Sequence, residues 1–410
     1  MSAASDSAVD ALLQFGAAAL RAGNTASRTR EWMEILSRKT RLEGLSVGFA
    51  FDSITVTVHD AEQRTTALAE IGPPAINVWR IAELERLATA AGSPRTPLEI
   101  TARIAEIQSA HSLFSRATIV AGIGIASAGF AFLNGAAAAE MSMAGLGGAL
   151  GQWSRFWLTD RHLNPYGVAA LAAAAASGSY VAAAALATHA GFGLANHPAG
   201  FIASVLFLVP GFPLIAGLFD LMQHQVTAAV GRLAHGAMVL LAVALGLSII
   251  VAVAQVDLAR QPPLELAYPL QIGFRAIASF AAAGAFAMLF NCSLRAVLAA
   301  GLLALVANGL RLGLIDMGLR LAPAAFLAAM VIGVVALMLD RRFTISRLAV
   351  IVPAIVIMVP GLYVFETIVL FNRGRALDAL QAAASCAFVI LALATGLAAV
   401  RIFRADKPRS

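Results

Sequence analysis

Four charged side chains lie inside long apolar runs of this 410-residue sequence: Arg155, Asp220, Arg311 and Glu366. A charge at membrane depth is expensive unless it is paired or wetted, so each is a candidate for binding or for moving a proton. Glu366, set between "LYVF" and "TIVLF", is the carboxyl best placed to carry one. Two pairs are expected, Arg155 with Asp220 and Arg311 with Glu366, each within salt-bridge or water-bridged reach. Asn134, Asn291 and Asn308 add amides suited to a substrate carboxylate, a helix break or an interhelical hydrogen bond.

A second chemical signal comes from the backbone. The stretches "LFLVPGFPLIAGLFDLM" (206–222) and "VIMVPGLYVFETIVLF" (356–371) each interrupt an apolar run with Val-Pro-Gly, and Pro210-Gly211 precedes Pro360-Gly361 by 150 residues. Proline removes a backbone donor and glycine removes bulk, so each break bares carbonyls and permits close backbone approach. In lipid this is tolerable only where protein or a wet cavity supplies partners. Interruptions at matching places in two halves point to a substrate site where the halves meet.

The elements that must position these groups follow from composition. Hydrophobic residues make up 60% of the chain and charged residues 13%, the balance of a polytopic membrane protein rather than a soluble one. Ten apolar runs of bilayer length fall between about residues 118 and 400. Similar pieces recur: "SAGFAFLNG" resembles "AAGAFAMLFN", and Arg155 and Arg311 stand 156 residues apart in comparable runs. The fold class expected is therefore mainly α, with about ten transmembrane helices in two inverted five-helix repeats behind a small α+β domain. The domains expected are a cytoplasmic head over 1–115, a first membrane repeat over 116–257, and a second over 258–410 with a short cytoplasmic tail. Loops such as "AAAAEMS" lack Lys and Arg, whereas Arg161, Arg232, Arg295 and the Arg/Lys-bearing tail fall on the opposite side, which places both termini inside. The opening residues do not have the form of a secretory signal.

In the head, two helices are expected between Ala8 and Arg41, broken at "AGN" with Thr25 as cap. "LSVGFAF", "ITVTV" and Thr65–Glu70 read as strands, and two amphipathic helices should lead into the first span. The head holds no glycine-rich phosphate loop and no nucleophile beside a base. Cys292 and Cys386 lie in apolar surroundings without metal spacing, so no metal, cofactor or enzymatic activity is expected. The excess of Arg suits anionic lipid and topology rather than nucleic acid.

Taken with their order, the head beginning "FGAAALRAGNTASRTREWMEILSRK", the first-half "LVPGFPLIAGLFDL" and the second-half "MVPGLYVFETIVLF" resemble the threonine/serine exporter family. The resemblance covers nearly the whole chain. It implies a cytoplasmic head before ten spans in the bacterial inner membrane, and export of small neutral amino acids by antiport against protons. It also marks Pro210, Gly211 and Asp220 in one half and Pro360 and Gly361 in the other as motif positions. A secondary transporter for threonine, serine or related solutes is the expected function, with substrate, protons and lipids as partners and a homo-oligomer as an allowed assembly. A passive channel is the alternative class, and a membrane-embedded enzyme a more distant one.

Overall fold

The computed structural model describes residues 3–40, 42, 44–59, 64–72, 75–90, 96–191, 198–254, 266–343 and 347–402. The chain divides into two compact units. The first comprises 1–113, 216–235 and 290–292, and the second 114–215, 236–289 and 293–410.

The first unit opens with α1 (Ala3–Arg21) and α2 (Ala26–Lys39), separated where the sequence places the break. Thr25 caps α2, its hydroxyl accepting from Arg28 N, which satisfies one of the donors every helix start leaves open. Three antiparallel strands follow in sequence order: β1 (Ser46–Phe49), β2 (Ser53–His59) and β3 (Arg64–Glu70). The register sets Val47 opposite Val56 and Ile54 opposite Ala69, so alternate positions supply one apolar face. Helix α1 lies on that face, so close that a Cβ on Gly16 would meet Ile54 Cδ1 at 2.4 Å. The core is built on Phe15, Trp32, Met33, Ile54 and Leu84. Helices α3 (Val78–Thr89) and α4 (Pro97–Ser109) complete the head, capped by Asn77 and Thr96.

The second unit is helical, and α9 and α10 begin in one unit and end in the other. In order come α5 (Arg116–Leu133), α6 (Ala138–Thr159), α7 (Pro165–His189), α8 (Pro198–Ala203), a 3-10 turn at Leu206–Leu208, α9 (Gly211–Met222) and α10 (Val226–Ala254). A similar order of long and short helices then follows: α11 (Tyr268–Leu289), α12 (Leu294–Asp316), α13 (Leu321–Phe343), α14 (Arg347–Val356), α15 (Gly361–Asn372) and α16 (Ala376–Ile402).

Among the described residues, seven helices are long and apolar enough to cross a membrane, and up to nine segments if each bent pair counts as one span. Ten were expected from the sequence. The difference is α6, whose 22 residues are long enough but carry Glu140, Gln152 and Arg155 among several glycines. Its polar groups lie on a helix that still exposes Leu146, Leu150, Trp153 and Trp157. Gly147 and Gly151 let α7 approach until their Cβ atoms would meet Ala176 O at 2.7 Å and Ala176 Cβ at 2.6 Å. Arg116 at the start of α5 pairs with Asp160 at the end of α6. That hydrogen bond holds the Asp160 carboxyl below the usual carboxylate range.

Candidate functional site

Each Val-Pro-Gly forms a sharp corner in its helix. Without a proline N–H, the backbone closes a tighter loop: Gly211 N donates to Val209 O, and Gly361 N to Val359 O, both at 2.8 Å. One turn earlier Val209 N donates to Leu206 O, and Val359 N to Val356 O. The first pair of helical segments bends by 58° and the second by 40°. Two stretches 150 residues apart thus share one local geometry.

The corners also face each other, and the contacts are reciprocal. A Cβ on Gly211 would lie 3.0 Å from Val359 Cγ2 and 3.5 Å from Val356 Cγ1. A Cβ on Gly361 would lie 3.5 Å from Val209 Cγ2 and 2.5 Å from Leu206 Cδ2. Helices α5 and α11 pack in the same exchanged manner. A Cβ on Gly129 would lie 3.3 Å from Ala278 O, and a Cβ on Gly122 3.6 Å from Ala285 Cβ. Phe130 and Phe286 meet between them.

These elements enclose a small cavity of ≈ 20 Å³, room for about one water. It is lined by Phe130, Leu206, Val209, Phe286, Val356, Val359 and Gly361. Its walls are apolar, with polar groups just behind them. Arg311 on α12 donates through Nη1 to Met358 O at 3.2 Å, two residues before Pro360. Glu366 itself is half-buried on α15, and Arg155 is half-buried on α6.

Asp220 belongs elsewhere. It is fully buried in the first unit, where Oδ1 accepts from Ala26 N at 3.0 Å, at the start of α2. Its Oδ2 lies 3.2 Å from Arg232 Nε. Arg232 in turn donates to the carbonyls of Gly23 and Asn24 in the α1–α2 turn. The sequence pairs Asp220 with Arg155 and reads Arg232 only as a topology charge; the partner found is Arg232, twelve residues on. A carboxylate at a helix N-terminus beside a guanidinium is a cap and an ion pair at once.

Asn134 and Asn291, two of the three asparagines singled out in the sequence, make hydrogen bonds within the fold. Asn134 donates through Nδ2 to Phe130 O at 2.7 Å, closing the end of α5. Asn291 takes a left-handed φ of 57° in the α11–α12 turn, a conformation asparagine tolerates. Its Oδ1 accepts from Leu113 N at 2.7 Å and from Ser112 Oγ at 3.2 Å, while Nδ2 donates to Asn77 Oδ1. Among the described residues no group of His, Cys, Asp and Glu side chains is placed to hold a metal. Burial pushes the Cys292 thiol up.

Family comparison decides what kind of protein carries this geometry. The family model for threonine/serine exporters matches residues 10–254, and a second, described as "Threonine/Serine exporter, ThrE", matches 275–403. The chain belongs to the threonine/serine exporter family. It is accordingly a membrane transporter of that family. No curated protein matches the chain, and no solved structure matches it. In this exporter-family chain both Val-Pro-Gly corners fall inside matched regions, one in each.

Sequence reasoning passed over two buried groups. Glu140, 1% exposed, accepts from Ala137 N with its Oε2 at the start of α6. Gln152 is wholly buried on α6. The available signal for Gln152 was its position three residues before Arg155, matching Asn308 three residues before Arg311.

Proposed function

We propose that this protein is a secondary transporter that exports serine, threonine or a similarly small neutral amino acid from the cytoplasm, through a site between two inverted five-span repeats. The observation that carries the reading is the reciprocal contact of the two Val-Pro-Gly corners across a common cavity. Reciprocity of this kind is the signature of a local two-fold relation, in which residue i meets j′ and j meets i′. With an odd number of spans per repeat, that axis lies in the membrane plane.

Turn positions support the inversion. The turn at 223–225 and the turn at 290–292 belong to the same compact unit as the head. Counting α6 and each bent pair as one span, the chain crosses the membrane ten times from a cytoplasmic head. The turn at 373–375, equivalent to 223–225, then lies on the far side.

The corners supply the binding chemistry. Helices α9 and α15 begin there, so their open N–H groups and positive dipole ends suit a carboxylate. The bared carbonyls before each proline suit an ammonium group, and Arg311 holds one of them at Met358. An apolar cavity of one-water size fits a resting state whose pathway is closed on a small solute. Rocking one repeat against the other would open it to each side in turn. Glu366 is the proposed proton carrier, which makes the exchange an antiport driven by the proton gradient.

The test is efflux of labelled serine and threonine from proteoliposomes, with and without an imposed proton gradient. Gradient-stimulated efflux is expected. Equal leakage under both conditions would favour the passive channel instead.

A further inference from the structure

Gln152 is fully buried, yet neither its Nε2 nor its Oε1 has a hydrogen-bond partner among the described residues. The same is true of Ser127 Oγ and Asn308 Oδ1, both on fully buried residues. An amide without partners is costly in a protein interior, and more so in a membrane where water cannot substitute. Packing does not require it, because an apolar side chain of similar size would avoid the penalty. Such groups are retained when something else comes to occupy them.

Their placement is not scattered. Gln152 and Asn308 stand 156 residues apart, each three residues ahead of an arginine, Arg155 and Arg311. Ser127 points at α6 one turn from Gln152, since a Cβ on Gly148 would lie 2.1 Å from its Oγ. Beside Gln152, Gly151 would meet Phe207 Cζ at 3.1 Å, and Phe207 adjoins the cavity-lining Leu206. In the other half Asn308 donates to Ser279 Oγ at 2.8 Å, on α11, two turns from the cavity-lining Phe286. One turn beyond Asn308, Arg311 reaches the second corner at Met358. Each amide thus sits behind one corner, next to the α5–α11 pair that floors the cavity.

We infer that Gln152 and Asn308, with the hydroxyls of Ser127 and Ser279 beside them, recognise the side-chain hydroxyl of a small hydroxy amino acid, a specificity role that rests on the exporter reading above. The chemistry divides by charge. A substrate carboxylate needs charged or dipolar partners, which the corner N-termini and arginines provide. A neutral hydroxyl is both donor and acceptor; Gln152, with both ends open, can meet it as either, and Asn308 offers its open Oδ1 as acceptor. A site built to hydrogen-bond a hydroxyl rejects the analogue lacking it, because its polar groups are then left buried and unpaired.

The experiment compares labelled serine with labelled alanine, which lacks only the hydroxyl, in proteoliposomes of the full-length protein. The wild type should prefer serine. Gln152→Met and Asn308→Leu should each cut the serine-to-alanine rate ratio at least about tenfold while alanine continues to move. Without substrate, Gln152→Met should melt no lower than wild type, since the amide it removes had no partner. As a check needing no variant, serine but not alanine should raise the wild-type melting temperature. A wild type that moves neither amino acid overturns the exporter reading and this inference with it. A wild type that moves both equally, or variants with an unchanged ratio, overturns the hydroxyl role alone. A Gln152→Met protein that melts lower and slows both amino acids equally makes the amide a packing element and also overturns it.

Discussion

The rings of Phe130 and Phe286 meet edge to face with centroids 5.9 Å apart and planes at 64°. They stand 156 residues apart, the same interval that separates Arg155 from Arg311. A pair of equivalent residues touching each other is what a local two-fold axis produces where it passes between two elements. The proposed inverted repeat therefore has its pivot at this pair, with the Val-Pro-Gly corners packed over it.

Bulk at the corners should block the cycle without unfolding the protein. Gly361→Leu inserts a side chain where a Cβ alone would lie 2.5 Å from Leu206 Cδ2. Overpacking of this kind costs about 1–3 kcal/mol. Serine efflux is expected to fall at least about tenfold, with an unchanged size-exclusion profile of the detergent-solubilised protein.

The buried pair in the first unit should act on stability. Asp220→Ala leaves Arg232 charged, 7% exposed and without its carboxylate, and removes the acceptor for Ala26 N. Breaking such a pair costs about 3–5 kcal/mol. Thermal unfolding should register a lowered midpoint. Asp220→Asn keeps an acceptor for Ala26 N and should lose less.

Glu366 is the proton carrier in the proposed mechanism. Glu366→Gln should fold and bind but lose gradient-driven export. Full retention of pH-dependent efflux in that variant would remove the role.

Topology offers a separate check. In a background of Cys292→Ala and Cys386→Ala, a cysteine at Gln223 should be labelled from the cytoplasmic face by a membrane-impermeant maleimide. One at Arg373, its equivalent 150 residues on, should be labelled only from outside. Labelling of both from one face would contradict the inversion.

Much of this architecture was legible because it rests on local rules. Thr25 as cap, the alternating strands and the Val-Pro-Gly corners each follow from the chemistry of a few adjacent residues. What escaped depends on distant partners. Asp220 finds Arg232 across the turn between α9 and α10 and Ala26 nearly two hundred residues away, and neither pairing leaves a periodic trace in the sequence. Asn291 looks like a site amide, but its left-handed turn and three polar neighbours make it a tie within the head's unit. Helix α6 is a span by length, but Glu140, Gln152, Arg155 and its glycines lower its apolar character below that of the other long helices of the second unit. Gln152 was hidden for the opposite reason, since a missing partner is invisible until the surroundings are known.

Transport by the proposed mechanism requires the two corners to move relative to each other. In the cysteine-free background, Gly211→Cys combined with Val359→Cys places two thiols where a Cβ and a Cγ now approach to 3.0 Å. Oxidation should join them, halt serine efflux from proteoliposomes and leave it recoverable with reductant. Cross-linked protein that exports serine at the rate of the reduced form would contradict the account.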